Sequence, residues 1–157
     1  MLDIPSITQT NDLRSELGRE GELLAANFLE QNGYRIVLTN FKVPVGRNSK
    51  CVQVTGEIDI IALEGETLCF VEVKTRRSEE FTPAITAVDL RKQRQITRTA
   101  KIYRRIFDVF EMPHRFDVVT VVAPRNKSPL ITIKKAFWNE SKFRKRSWNF
   151  EAWRDHF

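Results

Sequence analysis

Between Asp12 and Asn32 the apolar residues Leu13, Leu17, Leu24, Phe28 and Leu29 recur at the spacing of one helix face, and Asn32-Gly33 supplies a C-terminal stop. Gly18 and Gly21 inside this helix each cost about 1 kcal/mol relative to alanine, so another backbone or a ligand is expected close to its middle. Residues 34–38 are β-branched and aromatic, a strand. Residues 41–55 mix Pro, Gly, Asn and Ser with Lys42, Arg47 and Lys50, and read as a basic loop or an extended edge hairpin. Two further strands, 57–63 and 67–74, flank Gly65-Glu66. If that pair forms a type II′ turn, Leu63 lies opposite Leu68, Ile61 opposite Phe70, Asp59 opposite Glu72 and Glu57 opposite Lys74. Residues 87–110 carry Ile96, Ala100, Tyr103, Phe107 and Phe110 at helical spacing behind a capping-box-like start at Thr86 and Asp89, which predicts a long basic helix. The continuous apolar run 116–123 suits a strand covered on both faces, and 130–137 alternates as another. The order is helix, three strands, helix, two strands and a tail, in a single domain.

Composition narrows the class. The chain has 157 residues, 41% of them hydrophobic, and 26 Lys and Arg against 20 Asp and Glu, a net charge of +6. The distribution says more than the total. Residues 89–105 hold seven basic side chains against one acidic, and 125–157 nine against three, so the rest of the chain is acidic by six. Such segregation fits a polyanionic partner gripped by one region, and equally a solvated basic helix with a basic tail. There is no apolar run of membrane-spanning length, and the N-terminus has neither a cationic start nor an apolar core. A cytoplasmic protein with no membrane partner is therefore expected. Cys51 and Cys69 lack a C-x-x-C spacing, and His114 and His156 have no cysteine beside them, which argues against zinc and against a cysteine or serine nucleophile. His114, between Pro113 and Arg115, reads as a surface residue in a turn.

The central hairpin carries the chemistry. In the predicted register one face is Ile61, Leu63, Leu68 and Phe70 at the turn end, then Glu57, Asp59, Glu72 and Lys74 at the other. Carboxylates directly opposed across a ladder repel, so a cation must offset them. A surface cluster of ion pairs, Glu57 with Lys74 and Glu72 with Arg76, would do this. So would Mg²⁺ or Mn²⁺, hard cations that prefer oxygen.

Gly18-Arg-Glu-Gly-Glu22, Gly33-Tyr34, Asn40, Gly56-Glu-Ile-Asp-Ile-Ile61, Phe70-Val-Glu-Val-Lys-Thr-Arg76, Lys92, Tyr103 and Arg115-Phe-Asp-Val118 resemble the YraN-type family of small bacterial candidate endonucleases. That family in turn resembles the restriction-endonuclease-like PD-(D/E)XK nucleases. The resemblance runs from about Leu17 to Val122. It implies an α/β fold with a restriction-endonuclease-like core, helix, three strands, helix, strand, whose mixed central sheet is flanked by helices. From the residues themselves, 1–11 reads as a flexible arm and 138–157 as a basic aromatic C-terminal extension, on either side of a nuclease-like domain at 12–137. The resemblance further implies catalytic roles for Glu22, Asp59, Glu72 and Lys74, with Asp59, Glu72 and Glu22 holding Mg²⁺ or Mn²⁺. Lys92 and Gln95 are weaker candidates for completing the site and, with Arg94, Arg98 and Lys101, for binding nucleic acid. Glu57 is read as an orienting partner of Lys74.

The chain departs from the family pattern in its longer stretch 41–55 and in the tail, where Trp148, Phe150 and Trp153 suit either base stacking or packing onto the domain. The expected activity is metal-dependent hydrolysis of phosphodiester bonds in DNA, with branched or otherwise structured DNA among the candidate substrates. A nucleic-acid-binding module that keeps the fold without catalysis, and a protein-interaction domain, remain alternatives. A homodimer is left open.

Overall fold

The computed structural model describes residues 7–78 and 83–144. The first six residues of the expected arm and Trp148, Phe150 and Trp153 of the tail lie outside them. Helix α1 spans Ile7–Gln31, so its first turns occupy part of the stretch expected as an arm. It stops as expected: Gly33 takes a positive φ of 85°, its N–H donates to Glu30 O at 3.2 Å, and the Asn32 side chain donates to Phe28 O at 2.7 Å.

Strands β1 (Arg35–Arg47) and β2 (Gln53–Glu64) form a long antiparallel hairpin, the extended form of the two expected for the basic segment. Its turn is tied by Asn48 Oδ1, which accepts from the N–H groups of Lys50 and Val52. Strand β3 (Thr67–Arg76) follows through Gly65, at φ 58°, and pairs in the anticipated register from Glu64↔Thr67 to Ile60↔Val71. A 3₁₀ turn at Ala84–Ala87 and helix α2 (Leu90–Ile106) lead to β4 (His114–Val122), which pairs parallel to β3. Strand β5 (Leu130–Trp138) returns antiparallel, completing a five-stranded mixed sheet in the order β1-β2-β3-β4-β5.

The sheet separates two core layers. Ala25 and Leu29 of α1 meet Ile60, Ala62, Val71, Val119 and Val121 on one side. On the other, Ile96, Ala100 and Tyr103 of α2 meet Ile61, Phe70, Phe116 and Val118. Strand β4 is thus covered on both faces, as its apolar run anticipates. Helix α2 is shorter than expected, since Asp89 itself caps it by accepting from Lys92 N–H, while Thr86 falls in the preceding 3₁₀ turn. At its other end Asp108 turns left-handed at φ 53°, which leaves Phe107 and Phe110 exposed instead of continuing the buried stripe. Trp138 is buried and stacks on Phe116, with Nε1 donating to Thr97 Oγ1 at 2.9 Å, so the domain runs past 137.

His114 is not in a turn. It opens β4, half-buried and edge-on to the stacked Phe70 and Phe116 rings and 3.4 Å from Glu140, where burial and then the charge of Arg104 hold its pKa below the usual value. Among the described residues no helix is long and apolar enough to cross a membrane.

Candidate active site and basic face

The β2–β3 ladder ends at Ile60↔Val71, while β2 continues paired to β1. Asp59 and Glu72 are the next residues on each side of this fork. Ladder spacing would give Val73 a partner in β2; instead Asp59 Oδ2 accepts the Val73 N–H at 2.8 Å, so a side chain takes over the backbone's hydrogen bond. Both carboxylates are withdrawn from solvent, Asp59 being 8% exposed and Glu72 2%. Burial, and after it the neighbouring charge of Glu72, pushes the Asp59 carboxyl up to about 8, against the opposing pull of the Val73 N–H.

Lys74, two residues along β3, places Nζ 2.8 Å from Glu72 Oε1. The first turn of α2 brings Lys92 Nζ to 3.5 Å from the same oxygen. The other oxygen, Glu72 Oε2, is buried and has no hydrogen-bond partner among the described residues. Glu22 approaches from α1 and lines a cleft with Asp59. Burial raises its pKa, a hydrogen bond from the Asn40 side chain opposes this, and the charges of Glu57 and Glu72 add to the rise. On its other side Glu22 shares with Lys74 a cleft of about 620 Å³ that is also lined by Arg14, Arg76 and Arg77.

Close packing fixes this meeting of α1 with β3. A Cβ on Gly21 would stand 1.8 Å from Thr75 Oγ1, which is why glycine occupies that helix position. The close approach expected at Gly18 is not seen, since none of the described residues lies within 4 Å of its Cβ position.

Three expectations need correction. Glu57 does not orient Lys74: with the β2–β3 ladder already ended, Glu57 pairs across β1 with Lys42 at 3.5 Å. Glu72 is held by Lys74 and Lys92, with no ion pair to Arg76. Gln95 also stays out of the carboxylate cluster, since its amide donates to Thr55 O and pins the hairpin to α2.

The donor chemistry suits a hard divalent cation. Every candidate ligand is a carboxylate oxygen, one of them is enclosed without a partner, and mutual repulsion is already costly. Among the described residues no three acidic, His or Cys side chains converge as a ready-made cage. Asp59 and Glu72 are the residues that would hold such an ion, with Glu22 beside them.

The profile of the uncharacterised protein family UPF0102 matches residues 21–121. The chain belongs to that family. Similar relatives include a UPF0102 protein of Chlorobium limicola, 41% identical over 131 residues that cover 80% of this chain and 94% of the relative. Another, from Desulfosudis oleivorans, is 42% identical over 118 residues, covering 75% and 88%. A solved structure described as the crystal structure of SSO0001 aligns with a TM-score of 0.39 at 17% identity over 87% of this chain and 58% of that one, a likeness too slight to argue from.

The UPF0102 match takes in Glu22, Asp59, Glu72, Lys74 and Lys92. It also spans the basic face of this UPF0102 protein, where Arg91, Arg94, Arg98, Lys101 and Arg105 of α2 are exposed, as their positions opposite the apolar stripe predict. Between α2 and the hairpin tip lies a cleft lined by Arg47, Arg91, Arg94 and Arg98. Two residues escape a reading of the sequence by pattern. Asn40 takes a positive φ of 53° within β1, and its side chain reaches Glu22; the signal available was an asparagine within a strand-like run, the residue type that tolerates this conformation. Asp117, fully buried, accepts from Arg115 Nε and from Ala136 N–H, and so anchors the irregularity of β5 instead of serving the site.

Proposed function

We propose that this UPF0102 protein is a metal-dependent endonuclease that hydrolyses phosphodiester bonds in DNA, on a restriction-endonuclease-like core. One observation carries the reading: two buried carboxylates and a lysine meet where β2 and β3 part, with Glu72 Oε2 unpartnered among the described residues of a chain otherwise rich in cations. The sequence resemblance of Asp59 and of the Glu72-Val73-Lys74 triplet to the PD-(D/E)XK pattern supports it, as does the helix, three strands, helix, strand order.

Hydrolysis requires water to add to phosphorus, a bridging P–O bond to break and the departing oxygen to gain a proton. Asp59 and Glu72 would hold Mg²⁺ or Mn²⁺, which when bound supplies positive charge at the scissile phosphate and acidifies water. Lys74, partly exposed beside Glu72, is positioned to orient the attacking water or to stabilise negative charge on the phosphoryl oxygens. Glu22, with its raised proton affinity, suits the acceptance of the water's proton. The exposed cations of α2 hold the backbone by charge, without reading bases.

A second reading, a nucleic-acid-binding module without catalysis, draws on the ion pairs of Lys74 and Lys92 with Glu72 Oε1, which already neutralise one carboxylate. Incubation with duplex, single-stranded, flapped and four-way-junction DNA separates the two. Cleavage of at least one substrate is expected with Mg²⁺ or Mn²⁺, none with EDTA, and none from Asp59→Asn or Lys74→Ala. Binding without cleavage by the wild type under every condition selects the second reading.

A further inference from the structure

We infer that a second site, separate from the carboxylates, binds phosphate groups in the cleft between the C-terminal half of α2 and the 3₁₀ turn Glu140–Phe143. This cleft measures about 670 Å³ and is lined by Arg94, Arg98, Lys101, Arg104, Phe143 and Arg144 among others. Its electrostatics are one-sided. Among the described residues only Arg104 of these five cations has a carboxylate partner, Glu140, at 2.8 Å. Glu140 is shared, since its second oxygen lies 3.4 Å from His114 Nε2. Glu140 lines the same concavity, but its oxygens are engaged by Arg104 and His114, so among the described residues Arg94, Arg98, Lys101 and Arg144 face it with no ion pair of their own, an arrangement that mutual repulsion opposes unless an anion completes it.

The floor of the cleft is built in advance. Arg104 is 4% exposed, its Nε is enclosed without a hydrogen-bond partner among the described residues, and its guanidinium lies 4.8 Å from the centre of the Phe110 ring. Arg94 is steadied in the same way over Phe143, at 5.5 Å. Four of the five cations are arginines, whose planar forks match phosphate oxygens in pairs and stay charged at any physiological pH. The volume exceeds that of a bare phosphate and falls in the range of sites that take a nucleotide-sized group.

Position adds a geometric link. Arg98 lies six residues along α2 from Lys92, which reaches Glu72, and at about 1.5 Å per residue the two are about 9 Å apart along the helix. A strand with one phosphate at the carboxylates would reach the cleft a few nucleotides away. In that form the inference rests on the nuclease reading; a free nucleotide offers the same chemistry without it.

The test is calorimetric titration of the full chain in EDTA, with pyrophosphate, ADP and a short oligonucleotide as probes. Pyrophosphate and ADP are expected to bind the wild type. Arg98→Glu/Lys101→Glu, at two exposed positions, is expected to weaken that binding by at least about tenfold. Arg91→Glu/Arg105→Glu makes the same change of charge on α2 outside the cleft, and a weakening of no more than about twofold is expected near physiological salt. Displacement of ADP by the oligonucleotide supports a nucleic-acid backbone as the natural occupant, and failure of displacement supports a free nucleotide. Absence of phosphate binding, equal weakening in the two double variants, or a poly-glutamate peptide binding as tightly as ADP would each overturn the inference. EDTA withholds the metal that the proposed cleavage requires, so failure here leaves the nuclease assay untouched, and an inactive nuclease leaves this result standing.

Discussion

At the scale of single residues, Asp59 works against the stability of the fold at neutral pH. Its carboxyl has an ordinary value of 3.8 in the unfolded chain and about 8 in the folded one, because burial and then the charge of Glu72 disfavour ionisation. The folded state therefore binds the extra proton between these values, and stability falls as pH rises from about 4 to about 8. Asp59→Asn keeps an oxygen for the Val73 N–H and removes the titration. It is expected to raise the thermal midpoint by roughly 3–6 °C at pH 8 and by little near pH 4, followed by circular dichroism. Divalent cations are expected to raise the midpoint of the wild type and not of the variant, in a series with increasing Mn²⁺. A lower midpoint for the variant at both pH values would make Asp59 a structural residue. The closeness of Asp59 to Glu72 was legible from turn length and alternation. That Asp59 turns into the fork to replace a backbone partner was not, because strand periodicity assumes a ladder that continues. The misplacement of Glu57 has the same origin, since β2 has two neighbours and the sequence does not say which one it keeps.

Elements show where close approach matters. Gly21 and Gly18 look alike in sequence, two glycines in one amphipathic helix, yet only Gly21 meets β3. Gly21→Ala is expected to cost roughly 1–3 kcal/mol in denaturant unfolding, because Thr75 is short, branched and unable to swing clear. Gly18→Ala is expected to gain about 0.5–1 kcal/mol from helix propensity alone. Equal effects of the two changes would mean that packing against Thr75 does not set the seat of α1. The helices themselves were legible from their periodicity, and their ends less so, since capping by Asp89 and the left-handed Asp108 are decided by single local bonds and dihedrals. The buried Arg104 was indistinguishable in sequence from its exposed neighbours, because its burial depends on Glu140, which arrives from the far end of the domain.

On the scale of the whole molecule, the segregated charge gives a measurable signature. If α2 is the surface that meets DNA, neutralising Arg94, Arg98 and Lys101 together flattens the plot of log affinity against log salt by roughly 0.7–0.9 for each phosphate no longer neutralised, with little dependence on sequence. Fluorescence anisotropy at several salt concentrations checks this, and an unchanged slope moves the DNA-facing surface elsewhere. The parallel pairing of β3 with β4 has a consequence of another kind, for the order of assembly on the ribosome. Helix α1 and the meander β1-β2-β3 are local in sequence and emerge first, and with them Glu22, Asp59 and Glu72. Strand β4 can pair only after α2 has been made and has crossed the sheet. In the interval the edge of β3 stands open beside carboxylates that do not yet have Lys92 to oppose them. Nascent chains arrested before β4 should then be the aggregation-prone species, and the burden on chaperones should ease once synthesis passes Val122.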